Sequence, residues 1–490
     1  MSGSIFWDWL AGHPGTILGV LGYLLTIAFV PVVLIRKRHP ASAIAWCMSI
    51  ILLPYLGTLL FLMIGIPRVS RPLRKKQFHR SRFIRQWIQS TADKSHHPHP
   101  PREAEPSREW AGMDRLAGVV GAVKMSTGNR THVYHEGAQA FEDKLQAIRD
   151  AEHHVHAQYY ILRADHTGKA FVDLLCDKAR QGVEVRLLVD AVGSLQAHAM
   201  IRQLRNAGGK AELFLPIMAW RRRFVINLRN HRKILICDGC VGFTGGLNIG
   251  DEYLGRTKRF GFWRDTQLRI TGPAVLALQR VFAEDWDFSC GEFLSGAKYF
   301  PEPDTGGRDK LQIIWSGPDA DHNAIHAVYF AAITRARKRL WIATPYLVPD
   351  QAILSGLRSA ALHGVDVRII TQSSPPDHWV AHFAARYYWG ELLDSGVRIF
   401  QYEKGMIHAK VVIADSAWAS VGSANMDIRS LRLSFEANCL IYSKSLVHNL
   451  ENQFELDLKD SKEVLQAEIR ARPLRFQLAE NVCRLMSPIL

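Results

Sequence analysis

The chain writes one short pattern twice, and that repetition limits what it can fold into. The first copy is Asn230-His231-Arg232-Lys233 with Asp238 after four further residues; the second is His408-Ala409-Lys410 with Asp415 after four more. Past a hydrophobic run, each reaches a small-residue turn ending in asparagine, Gly245-Gly246-Leu247-Asn248 and Gly422-Ser423-Ala424-Asn425. Residues two apart on a strand share a face, so each H-x-K sets an imidazole beside an ammonium. Histidine titrates near neutrality and serves as nucleophile or proton donor. A lysine two residues on is a fixed cation suited to a phosphate oxygen. One H-x-K arises by chance on many strands, but two copies with the same aspartate and the same turn point to one site built from two halves.

The repetition extends outward from the motifs. In the first half a strand at 155–161, a helix around 170–179 and a strand at 183–190 precede the H-x-K; in the second, a strand at 340–346, a helix at 351–362 and a strand at 365–370 do the same. Strand, helix, strand in matching order predicts an α/β fold of βαβ units with right-handed crossovers in a mixed or parallel sheet. Beyond the asparagine turns, each half begins another strand with a carboxylate, Asp265 and Glu436. An imidazole at work needs a partner on its second nitrogen to fix its tautomer, and these acids are the candidates; surface acids at strand starts are the plainer alternative. Asp238 and Asp415 lie seven residues past each histidine, too far along an extended strand to orient the ring, and are read as turn or ion-pair residues.

The beginning of the chain has a different character. No charge occurs over roughly 21 residues at 15–35 or over about 24 at 43–66, each long enough to cross a bilayer core of about 30 Å as a helix. Trp7, Trp9, Tyr23, Trp46 and Tyr55 supply aromatics for the interfaces. The expectation is a two-helix membrane hairpin, with Pro31 and Pro54 allowing a kinked, re-entrant form. The basic run Arg68, Arg71, Arg74, Lys75, Lys76, Arg80, Arg82 and Arg85 outweighs Arg36-Lys37-Arg38, which places the remainder of the chain in the cytoplasm. Residues 77–112, rich in His and Pro after a basic stretch, read as a mobile linker. The net charge of +15 favours anionic partners, nucleic acid or acidic lipid. The seven cysteines cannot all pair, and Cys237 and Cys240 flank an Asp-Gly hairpin turn, so they read as small buried hydrophobes rather than metal ligands.

The paired motifs resemble the HKD motifs of the phospholipase D superfamily. Phe243-Thr244-Gly245-Gly246-Leu247-Asn248-Ile249-Gly250-Asp251-Glu252-Tyr253, Trp263-Arg264-Asp265-Thr266 and the closing Arg484-Leu485-Met486-Ser487-Pro488-Ile489-Leu490 are similar to its bacterial cardiolipin synthase branch. The resemblance covers nearly the whole chain and implies two duplicated phospholipase D-like halves forming one pseudo-two-fold unit behind the hairpin. The expected boundaries are 1–76 for the hairpin and basic flank, 77–112 for the linker, 113–300 for the first half, and 301–490 for the second half with its terminal helix. The implied catalytic set is His231, Lys233, Asp238, His408, Lys410 and Asp415, with Asn248 and Asn425 on the phosphate. By analogy, His231 attacks phosphorus and His408 is the acid and base, without metal or cofactor. The implied substrate is phosphatidylglycerol, as donor and acceptor, at the bacterial inner membrane, with no nucleic-acid partner. A superfamily nuclease, a hydrolase or transferase using another alcohol, and an inert membrane scaffold are the competing readings. Two stretches are candidates for lipid contact: the aromatic 379–393 and the Trp-Arg-rich 218–224. Leu474, Leu478, Val482 and Leu485 have the spacing of an amphipathic helix, expected to pack its apolar side on the catalytic body.

Overall fold

The computed structural model describes residues 13–37, 40–62, 70–92, 110, 112–121, 123–216, 228–320, 322–373 and 376–487. The chain divides into two units, Met1–Pro72 and Leu73–Leu490.

In the first unit the apolar run at 15–35 forms one helix, Pro14–Arg36, long and apolar enough to cross a membrane. Over the described residues the second run is not one continuous helix. It breaks at Leu53-Pro54 into helices Pro40–Leu52 and Pro54–Leu60, because proline lacks the N–H that would continue the helix and excludes the preceding residue from helical geometry. At 1.5 Å per residue, 13 residues rise only about 20 Å. Leu18, Leu24, Leu34, Ile44, Ile51 and Leu59 point outward and are more than half exposed.

The second unit carries the duplicated halves. The first contributes strands β1 (Ser126–Glu136), β2 (His154–Tyr159), β3 (Glu184–Asp190), β4 (Lys210–Phe214), β5 (Ile234–Cys237), β6 (Val241–Gly245) and β7 (Phe262–Thr271). The second contributes β8 (Asp309–Ser316), β9 (Arg339–Ala343), β10 (Leu347–Val348), β11 (Asp366–Gln372), β12 (Arg398–Tyr402), β13 (Gly405–Ile407), β14 (Val411–Ala414), β15 (Trp418–Gly422), β16 (Met426–Asp427), β17 (Glu436–Ile441) and β18 (Ser461–Glu463). Outward from the middle, the first half runs β1-β7-β6-β5-β2-β3-β4 and the second β8-β17-β15-β14-β9-β11-β12-β18, one order repeated about a pseudo-two-fold axis. Antiparallel pairing of β1 with β8 joins them into a single sheet. Within each half three strands are parallel, β2-β3-β4 and β9-β11-β12, and the others along these two runs pair antiparallel; β13 pairs parallel with β7, and β10 and β16 form a separate parallel pair. The sheet is therefore mixed, and the H-x-K motifs lead into its antiparallel part.

Each half buries its own core. Val155, Leu187, Leu235 and Phe171 centre the first; Leu340, Ile369, Val412 and Trp389 centre the second. Two segments depart from the expected boundaries. The helix Met113–Gly121 buries Met113 and Ala117 in the second core, and Trp110 stacks on Trp418 at 5.6 Å. Chain N-terminal to β1 thus completes the far half. Residues 77–92, read as linker, continue the helix Ser70–Ala92. That helix is held by buried acids it meets only in the folded unit, and the prolines of the 77–112 segment all lie past its end. Residues 93–109, including the His-Pro tract, are outside the described residues, as are 218–224.

Candidate active site

Each histidine is placed by the opposite half. The backbone N–H of His231 donates to the Phe435 carbonyl at 2.9 Å, and that of His408 donates to the Arg264 carbonyl at 2.7 Å. Residues 435 and 264 immediately precede the two strand-start acids, so the carboxylates arrive beside the rings. His231 Nδ1 lies 3.0 Å from Glu436 Oε1, and His408 Nδ1 lies 2.7 Å from Asp265 Oδ2. Both acids are fully buried. With Nδ1 held by a carboxylate, each ring presents Nε2 as its remaining nitrogen. The sequence identifies the two acids as candidates; that each serves the histidine of the other half is legible only from the fold.

The lysines stand behind the rings. Lys233 Nζ donates to the His231 carbonyl at 2.6 Å, and Lys410 Nζ donates to the His408 carbonyl. Both are almost wholly buried. Burial pushes Lys410 down to about 8, despite the opposing pull of Asp265 and Glu436, and holds Lys233 well below the ordinary lysine range. Burial also lowers His231, to about 4, with Lys233 adding to the effect; His408 is lowered by burial and by Lys410. Burial alone would raise Asp265, but the His408 and Lys410 charges outweigh it and keep it below its usual value.

The small-residue turns fit close to the acids. A Cβ on Gly246 would sit 2.0 Å from Asp265 Oδ1, so that position admits only glycine. Its counterpart Ser423 donates its hydroxyl to Glu436 Oε2 at 2.5 Å. Both asparagines face the same cavity of about 720 Å³ as the two histidines. Asn248 Oδ1 accepts the Ile161 N–H at 3.2 Å. Arg229 and Arg429 share this polar wall, while Phe260, Trp263, Val348, Trp379, Val380 and Met486 give the cavity an apolar side.

Asp238 and Asp415 are elsewhere. Each occupies the left-handed region, at φ 55° and 52°, in the turn after its H-x-K strand. Asp238 accepts the N–H groups of Glu152, His153 and His154, each at 2.8 Å. Asp415 accepts those of Arg337, Lys338 and Arg339 between 2.7 and 3.1 Å. They tie the motif hairpins to the start of β2 and β9, so their grouping with the catalytic residues is corrected to a structural part. Cys237 and Cys240 are both free thiols; Cys237 is buried but Cys240 is exposed at the turn, a departure from two buried residues. Among the described residues no cluster of side chains has metal-binding geometry.

A second layer escaped the sequence reading. Asp285 accepts from Lys76 Nζ at 2.6 Å, Gln158 Nε2 at 2.6 Å, Asn230 Nδ2 at 3.0 Å and an Arg232 N–H at 2.5 Å. Burial would raise it, but Arg232 and Lys76 hold it far below the usual carboxylate range. Lys76, 1 % exposed, also faces the Phe214, Phe288 and Phe435 rings at 5.0–5.7 Å. Asp190 caps the Asn230 N–H at 2.9 Å, and Tyr160 packs edge-on against His231 at 5.0 Å. Asp285 lies mid-helix with no local pattern to mark it.

The two lipid-contact candidates fare differently. In the helix Trp379–Asp394, Trp389 is buried in the core, whereas Trp379 and Val380 are half exposed at the cavity. The stretch 218–224 lies outside the described residues. The terminal helix Leu474–Arg484 does pack on the body, but by its polar face. Glu480, 2 % exposed, bonds Arg386 and Arg472, while the apolar residues expected inside point outward.

A duplicated mixed sheet that brings one H-x-K from each half to a common cavity, each ring clamped by the other half's acid, defines a phospholipase D-like enzyme. The family model described as "Cardiolipin synthase, PLD-like domain" matches residues 145–286 and 329–458, and "Phospholipase_D-nuclease N-terminal" matches 24–65. The chain belongs to the cardiolipin synthase family. It is 39% identical over 493 residues to a cardiolipin synthase of Geobacillus kaustophilus, covering 99% of this chain and 95% of that one. It is 39% identical over 462 residues to cardiolipin synthase 2 of Bacillus anthracis, covering 94% and 89%. The phosphatidylserine synthase of Haemophilus influenzae, at 15% identity and TM-score 0.57, has the same fold over 77% of this chain and all of its own.

Proposed function

We propose that the protein transfers a phosphatidyl group from one phosphatidylglycerol to another, releasing glycerol and giving cardiolipin. The observation that carries this reading is the pair of imidazoles facing one cavity, each with its Nδ1 held by a buried carboxylate. In the first step His231 Nε2 attacks phosphorus and the P–O bond to glycerol breaks, with His408 delivering the proton to the departing oxygen. In the second, His408 takes the proton from the hydroxyl of the acceptor lipid, whose oxygen displaces His231 from the phosphohistidine. Lys233, Lys410, Asn248 and Asn425 stabilise the charge on the non-bridging oxygens. His231 suits attack, because burial keeps it neutral down to about pH 4. The apolar side of the cavity holds the acceptor and limits water, which favours transfer over hydrolysis.

The enzyme sits at the bacterial inner membrane through its N-terminal apolar segments, with the catalytic unit in the cytoplasm beside the larger basic cluster. A phosphoenzyme accumulates from labelled phosphatidylglycerol in His408→Ala and not in His231→Ala. The reverse pattern exchanges the two roles, and a phosphoenzyme in neither rejects covalent catalysis. Lipid analysis of membranes carrying the intact protein or His231→Ala tests the product.

A further inference from the structure

The helix Leu474–Arg484 is docked the wrong way round for a soluble protein. Leu474, Leu478, Val482 and Leu485 fall within one narrow arc of a 3.6-residue helix and are 70%, 58%, 63% and 71% exposed. The opposite side carries the attachments. Glu480 bonds Arg386 at 3.1 Å and also Arg472; Arg484 donates to the Tyr387 hydroxyl at 2.9 Å; the Tyr388 hydroxyl reaches Ser487 Oγ at 3.3 Å. An exposed stripe of four aliphatic side chains on a polar anchor is the reverse of ordinary surface patterning.

We infer that this stripe is a docking surface for an anionic phospholipid bilayer, which it meets lying flat. Three observations select the bilayer as occupant. The stripe is continuous with the mouth of the active-site cavity, because Met486, 44% exposed, follows Leu485 and lines that cavity with the exposed Trp379 and Val380. Arg475 is exposed beside the stripe, where a long basic side chain reaches headgroups while its helix lies at the acyl boundary. The chain as a whole carries +15, complementary to an acidic leaflet. The inference rests on the reading that the substrate is a membrane lipid, and it adds how that lipid is delivered. With the stripe seated in the leaflet, a phosphodiester enters the polar wall while its acyl chains remain along Trp379, Val380 and Met486.

The test uses the full-length protein reconstituted in vesicles of phosphatidylglycerol and phosphatidylcholine. Benzoylphenylalanine in place of Val482 or Leu478 is irradiated, and the expected product is a phospholipid adduct. Cross-linking to a second copy of the chain, or to neither lipid nor protein, overturns the inference. This readout needs no turnover, so a lipid adduct without cardiolipin formation retains the docking surface and rejects the proposed reaction instead. In a second arm, L474Q/L478Q/V482Q/L485Q loses about 10-fold or more of its activity on bilayer phosphatidylglycerol, while its activity on a dispersed short-chain analogue stays within about 2-fold. Equal loss on both substrates, or none on either, counts against the surface.

Discussion

Asp265 and Glu436 hold rings that belong to the other half of the chain, which fixes what their removal does. Asn or Gln in their place keeps the shape but reverses the hydrogen bond and selects the wrong tautomer, an effect worth about 10³-fold or more where such an acid orients a histidine. Asp265→Asn and Glu436→Gln are therefore expected to lower kcat by about 10³-fold with little change in KM, measured in mixed micelles. The buried charges also set a pH dependence. His231 must be neutral to attack, so kcat/KM rises through about pH 4. His408 must be protonated to assist departure, and its ordinary value of 6.5 is lowered in the free enzyme. Lys410 must be charged to hold phosphate, and its loss of a proton near pH 8 steepens the decline. A bound phosphodiester anion favours the protonated forms of both, so the alkaline limb of kcat is expected at higher pH than that of kcat/KM. Coincident limbs in the two profiles reject that linkage. At this scale much of the site is legible beforehand, since His231, Lys233, His408, Lys410 and both asparagines lie in motifs with a chemical rationale. Tyr160 and Asp285 are not, because nothing local distinguishes them from ordinary core residues.

The hairpins after the motifs and the helix Ser70–Ala92 act on the site without entering the cavity. Asp238 and Asp415 each satisfy three backbone N–H groups. Replacing either with Ala leaves those donors short of partners at a cost of about 1–3 kcal/mol, with activity per folded molecule preserved; melting curves and kcat at low temperature separate the two. The spacing argument from an extended strand reaches the same structural role, while the motif grouping placed them with the chemistry. Lys76 is the opposite case. It looks like one member of a solvated basic run, yet the fold buries it on Asp285, which also holds Arg232 and Asn230 beside His231. Lys76→Met leaves Asp285 with a single full counter-charge and is expected to cost about 3 kcal/mol, seen as a lower melting temperature of the detergent-solubilised protein. A melting point equal to that of the unmodified protein contradicts this. Periodicity placed the terminal helix correctly but not its facing, because the moment of a sequence does not say which side a salt bridge such as Glu480–Arg386 will claim.

Across the whole molecule, the sheet seam at β1 and β8 and the crossed carboxylates make one site of two halves. The duplication and the order of its elements along the chain are readable because strand, helix and motif recur at matched spacing; the sheet order and the crossing are not, because they depend on which strands pair across the axis. Double-mutant cycles test the crossing directly. Glu436→Gln is expected to add almost nothing to His231→Ala, and Asp265→Asn almost nothing to His408→Ala, whereas the within-half combinations accumulate. The same axis is broken at its centre. One half has Asp265 against Gly246, with no room for a methyl group; the other has Glu436, one methylene longer, met by the Ser423 hydroxyl. The His408 side chain is 9 % exposed, while that of His231 is 15 % exposed and bears its acid's two oxygens almost equally. Two identical imidazoles would give no ground for one to attack phosphorus and the other to carry the proton. On the proposed mechanism, the swapped methylene and hydroxyl are what give a folded-over palindrome a forward and a backward sense.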